Sequence, residues 1–162
     1  MIAFEYPPRV RVEWFLAAAR VGLAGGALIA VTADVPSPTV HSVLFAYLAY
    51  SLSVLALVWS PVKFDRTWGM TLHGVDLGAF TALMVVTNGA ESPFFITLIF
   101  LLVSGTSRWH VRGTLWTAGV AAAAFIAASL YASVFGNGAI VTPGVFVIRM
   151  FYLIIAAAML TY

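Results

Sequence analysis

Three ionisable side chains stand inside long apolar stretches of this chain: Arg20, Asp76 and Arg149, with His73 three residues before Asp76. A charge at the centre of a membrane helix costs about 2.5–3.5 kcal/mol on insertion scales, so such residues face a protein interior or water and mark candidate sites. Counted along their helices, Arg20 falls roughly 10 Å and Asp76 roughly 12 Å from the same membrane face. Equal depth and opposite charge point to a pair, which either locks two helices together or serves a signal or a ligand. His73 and Asp76 share a helix face, where a carboxylate can tune an imidazole for a proton or ligand. A metal or haem would need a second ligand at matched depth, which Met70 and Met84 do not supply. If Arg20 and Asp76 pair, removing one partner strands a charge. Arg20→Ala or Asp76→Ala alone should then destabilise the protein more than the double replacement, with a pair energy below about 2 kcal/mol. Melting the three variants in detergent decides it, and simply additive losses would count against the pair.

A second set of groups is the segment Asn88-Gly89-Ala90-Glu91-Ser92-Pro93-Phe94. Gly89 permits a tight turn and close backbone approach, and Pro93 presets the first turn of the helix that follows. Backbone N–H groups at such a helix start suit a carbonyl oxygen or an anion. Phe94 and Phe95 would add a flat apolar wall. Arg149 enters its helix from the outer end, at a depth from which it either reaches this loop or snorkels to the head groups. The candidate ligand contacts are therefore Asn88, Gly89, Glu91, Ser92, Pro93, Phe94 and Arg149. The alternative is a well-capped helical hairpin whose phenylalanines face lipid.

Other chemistries are excluded. The chain has no cysteine, hence no disulfide, thiolate metal site or cysteine nucleophile. It has no Ser/His/Asp set, glycine-rich phosphate loop or HExxH spacing, so neither catalytic residues nor metal ligands are assigned. Eight basic residues give a net charge of only +2. Six of them are spread over short loops and two lie within the apolar stretches, without a basic, aromatic-interleaved stripe, which argues against nucleic acid.

The elements that must position these groups follow from hydropathy. Hydrophobic residues make up 62% of the 162 residues and charged ones 9%, where soluble domains carry roughly 25% charged. With a mean hydropathy of +1.02, the chain cannot cover itself with polar groups, and lipid must be its solvent. Six apolar stretches are each about long enough to cross a core of ~30 Å as helix: residues 13–31, 41–60, 68–87, 93–109, 114–135 and 145–162. The expectation is an all-α polytopic membrane protein with short loops and a cytoplasmic N-terminal segment, 1–12. The first stretch lacks a cleavage site and is read as retained. Pro36 and Pro38 break the chain after the first stretch; Gly136, Asn137, Gly138, Pro143 and Gly144 precede the last.

Arg9, Arg11, Lys63, Arg66, Arg108 and Arg112 all fall in one set of loops, whereas the other set contains Asp34 and Glu91 and no cation. By the positive-inside rule both termini are cytoplasmic. Trp14, Trp59, Trp68, Trp109 and Trp116 lie near the same side, as an aromatic belt would. Small residues at spacing four, Ala18, Gly22 and Gly26 on helix one and Gly74 and Gly78 on helix three, are expected where helices approach closely. The chain stops at Tyr162 without a charged flank, which reads as the membrane part of a longer protein.

From His73 to Tyr131 the sequence resembles the membrane input region of bacterial sensor histidine kinases. That pattern is an Asp in helix three, a Gly-Gly-x-x-Ser/Asn-Pro-Phe loop, a short aromatic-rich helix, an Arg-Gly turn and an alanine-rich helix ending in Tyr. Here these are Asp76, Asn88 to Phe94, Arg112-Gly113 and Tyr131, with Asn88 in place of the first Gly. The layout is similar to that of the RegB/PrrB-like redox sensor kinases, whose GGxxNPF loop is associated with ubiquinone sensing; there Ser92 stands in place of Asn. The resemblance implies quinone as ligand at Gly89, Pro93 and Phe94, a homodimer, a bacterial inner membrane location, and a cytoplasmic kinase output acting on a response regulator. Related modules precede diguanylate cyclases instead. Rival readings are a small transporter or channel, and an accessory subunit of a larger membrane complex.

Overall fold

The computed structural model describes residues 8–34, 37–59, 66–135 and 142–162, all helix or short connection, with no strand among them. Its helices are α1 (Pro8–Asp34), α2 (Pro38–Trp59), α3 (Arg66–Val86), α4 (Ile96–Phe135) and α5 (Pro143–Thr161). Two single 3-10 turns, Gly89–Glu91 and Pro93–Phe95, separate α3 from α4. All five helices are long and apolar enough to cross a membrane, the mark of a multi-pass membrane protein. Pro36, Lys63, Gly136, Asn137 and Gly138, and the first seven residues of the N-terminal segment, lie outside the described residues.

The chain forms two compact units, Met1–Gly69 and Met70–Tyr162. In the first, α1 and α2 pack against each other. The buried positions of α2 are Val40, Leu44, Tyr47, Ser51, Val54 and Val58. Their alternating spacing of four and three residues makes one seam along the helix.

In the second unit the decisive feature is the break in α4. His110 has φ 54 and ψ −148, a backbone region almost reserved for glycine. In a continuous helix Phe95 and Phe125 would stand about 45 Å apart, yet their rings meet edge to face at 5.3 Å. The helix therefore folds back on itself at His110 into two antiparallel arms, 96–109 and 111–135. Next to the turn, Thr106 and Thr114 join hydroxyls at 2.7 Å. Two glycines make this approach sterically feasible. A Cβ on Gly113 would lie 2.5 Å from the Gly105 carbonyl oxygen, and one on Gly105 would collide with Thr117 Oγ1.

Boundaries differ from the hydropathy reading where local chemistry intervenes. α1 starts at Pro8 and runs to Asp34. Residues 93–95 form a 3-10 turn capped by Ser92 instead of the first turn of an α-helix. Among the described residues a Cβ on Gly22, Gly26, Gly74 or Gly78 would touch nothing within 4 Å. The close approaches are at Gly89, Gly105 and Gly113.

Candidate functional site

The loop after α3 is built by its own hydrogen bonds. Asn88 (φ 69) and Gly89 (φ 57) both take left-handed backbone, a conformation that Asn and Gly tolerate best. Glu91 N–H then donates to Asn88 O at 3.2 Å, Ser92 N–H to Gly89 O at 3.1 Å, and Phe95 N–H to Ser92 O at 3.3 Å. Ser92 is fully buried and its Oγ accepts from Phe94 N–H at 3.1 Å. Thr87 Oγ1 donates to Leu83 O at 2.6 Å, so in the 2.6 Å contact between Thr87 and Ser92 the serine is the donor. The N–H groups of this loop are thus spent largely on the loop itself.

Gly89 presses into the second arm of α4. A Cβ there would lie 2.8 Å from Ala128 O and Ala132 Cβ and 2.9 Å from Ser129 Cα. Ala90 is fully buried, and Phe94 and Phe95 are nearly so. The phenylalanines therefore form part of the interior instead of facing lipid. Asn88, Glu91 and Pro93 stay exposed.

One face of α5 closes over this loop. Thr142, at the helix start, donates through Oγ1 to Glu91 Oε1 at 2.7 Å. Two turns later Arg149 donates through Nη1 to the Ser92 carbonyl and, more weakly, through Nη2 to Glu91 O at 3.4 Å. Its guanidinium sits 5.3 Å from the centre of the Phe95 ring, within cation–π range. Between them Phe146 stacks on Phe125 at 5.3 Å and 15°. Thr142, Phe146, Arg149, Leu153 and Ala157 recur at spacings of four and three, a single helix face, and the last two are its buried members.

The remaining candidates lie elsewhere. His73 Nε2 is 3.1 Å from Thr117 Oγ1, and its ring meets Trp109 edge to face at 5.3 Å. Thr117 stands eight residues from Phe125, so this cluster is roughly 12 Å along the arm from the Arg149 contacts, near the turn. Asp76 is buried on α3 and Arg20 on α1, each in its own unit. No group of three or more His, Cys, Asp or Glu able to hold a metal occurs among the described residues.

The structure thus brings Asn88 to Phe94 and Arg149 into one site and leaves His73 at the far end of the hairpin. Thr142, Phe125 and Phe146 belong to that site without having been singled out in sequence. The signal that could have found them is the face spacing Thr142–Phe146–Arg149, once Arg149 is asked what lies beside it on its own helix. No family model matches the chain, and neither a curated protein nor a solved structure matches it.

Proposed function

We propose that the chain is the membrane-embedded input module of a two-component sensor kinase of the bacterial inner membrane. In this reading it crosses the bilayer six times with both termini cytoplasmic, works as a homodimer, and answers a lipophilic redox ligand of the quinone type. α5 passes the signal to a cytoplasmic kinase that acts on a response regulator. The observation that carries the reading is the hold of Arg149 on the Ser92 and Glu91 carbonyls above the Phe95 ring. Arg149 is the one charged side chain of α5, and through it the last helix is latched to a loop.

A quinone can compete for that latch. Its carbonyl would take the guanidinium N–H that Ser92 O now accepts, and its ring would take the place of arginine over Phe95. Guanidinium has only donors, so it favours the carbonyl of the oxidised form over the weaker hydroxyl acceptor of the quinol. Occupancy then reports the redox state of the pool and frees α5 from the loop.

The test is equilibrium binding of a short-chain quinone and its quinol to the chain in nanodiscs. The wild type should bind quinone at least about tenfold more tightly than quinol, a difference of ~1.4 kcal/mol. Arg149→Ala should lose that preference. Arg149→Lys should recover it only in part, because an ammonium cannot hold two acceptors in a planar fork. Identical quinone binding by all three proteins would remove the site from the ligand.

A further inference from the structure

The tip of the α4 hairpin carries two arginines, Arg108 and Arg112. The two flank His110 within five residues, and none of the 40 residues of α4 is acidic. His110 and Arg112 are exposed. Arg108 is half-buried and anchored, its Nη1 donating to Ser104 Oγ at 3.0 Å. The tip is also rigidly made, with Thr114 Oγ1 donating to His110 O at 3.1 Å in addition to the hydroxyl pair and the two glycines at the arm crossing. Directly beside the cations, Val111, Leu115 and Trp116 are 48%, 60% and 77% exposed.

Cations fixed at the end of an apolar hairpin, with large apolar side chains running away from them on the second arm, match a molecule that is anionic at one end and hydrocarbon at the other. We infer that this tip binds the phosphate head group of an anionic phospholipid, with an acyl chain lying along Val111, Leu115 and Trp116. Arg112 supplies a two-pronged donor suited to phosphate oxygens. The anchored Arg108 would fix the other side, and Trp116, exposed one turn after Arg112, is of the type that settles in the head-group layer. The site is distinct from the Arg149 latch and lies at the opposite end of the hairpin. It rests on the proposal that arms 96–109 and 111–135 are separate crossings.

The experiment is lipid retention by the purified chain in native mass spectrometry, after exchange into mixed phosphatidylcholine and phosphatidylglycerol. The wild type should keep phosphatidylglycerol in preference to phosphatidylcholine. Arg112→Gln, at an exposed position, should lower that preference at least about tenfold, whereas Lys63→Gln, outside the hairpin, should leave it unchanged. Equal loss in both variants would mean that only total charge matters and would overturn the site. Displacement of the lipid by millimolar inorganic phosphate would overturn its assignment to a lipid. The cysteine-free chain allows the crossing itself to be checked separately, by labelling Asn88→Cys and His110→Cys in sealed vesicles with an impermeant maleimide. Labelling from the same side defeats the two-crossing reading. Labelling from opposite sides with retention indifferent to Arg112 defeats the lipid site alone.

Discussion

Replacing Gly89 by alanine is expected to destabilise the second unit by about 3 kcal/mol, the sum of two penalties. At φ 57 a Cβ costs roughly 1–2 kcal/mol from its own backbone. The new methyl group would also sit 2.8–2.9 Å from the Ala128 carbonyl, Ser129 Cα and Ala132 Cβ. Two of these three are backbone atoms of a helix, which cannot swing aside as a flexible side chain would, and overpacking of this kind typically costs about 1–3 kcal/mol. The loop must lift off the arm, and with it go the carbonyls that hold Arg149. Asn88→Gly is the matched control, since Asn88 is exposed and already left-handed, so stability should change by less than about 0.5 kcal/mol. Reversible unfolding in mixed detergent micelles measures both. An alanine at 89 that melts like the wild type would mean the loop does not pack on the arm.

The second large effect is at the turn of α4, where two substitutions should move stability in opposite directions. Gly113→Ala puts a methyl carbon 2.5 Å from Gly105 O and 2.5 Å from Trp109 Cβ, and the arms must separate at a cost of about 2–3 kcal/mol. Because the Trp109 ring packs edge-on against His73, the same change should alter indole fluorescence. His110→Gly removes a Cβ from a backbone conformation that strains non-glycine residues by about 1–3 kcal/mol. It also gives back part of that gain as extra freedom in the unfolded chain. The net result should be a stabilisation of about 1 kcal/mol. If His110→Gly destabilises the protein instead, the residue is held by contacts that outweigh its strain.

The strain at His110 also explains why the hairpin was hard to read. A turn between helices is normally announced by glycine or proline at the residue that reverses the chain. Here the segment reads Ser104-Gly105-Thr106-Ser107-Arg108-Trp109-His110-Val111-Arg112-Gly113, and the reversal falls on the histidine. The two glycines stand to either side and serve arm contact. Hydropathy and basic residues could still separate 93–109 from 114–135, because they respond to length and charge instead of turn geometry. Gly22, Gly26, Gly74 and Gly78 permit close approach, but spacing does not say which face a partner will use.

The loop was legible in residue type and only partly in consequence. Left-handed tolerance at Asn88 and Gly89 follows from their chemistry. That Ser92 Oγ would take the Phe94 N–H, leaving little of the helix start for a ligand, depends on a rotamer that no sequence pattern specifies. Phe94 and Phe95 illustrate the same limit. Apolar residues in a membrane protein are solvated by lipid or by protein with equal ease, so hydropathy cannot tell an interior phenylalanine from one facing the bilayer. Here the unit as a whole decided, by laying α5 across the loop.

The span of chain between Arg149 and its acceptor has a consequence for biogenesis. Ser92 and Arg149 are 57 residues apart, and the whole α4 hairpin is synthesised between them. Inserted alone, α5 would carry a bare guanidinium into hydrocarbon, at about 2.5–3.5 kcal/mol. Docked on a finished hairpin, it finds two carbonyls and an aromatic face already in place. Assembly is therefore expected to have a direction, the loop and both arms forming first and α5 docking last over Phe125. An Arg149→Ala chain should enter the bilayer at least as readily as the wild type, yet be cleared faster by membrane proteases because its last helix no longer locks. Pulse-chase labelling compares the two lifetimes, and equal lifetimes would show that α5 is retained by its apolar face alone.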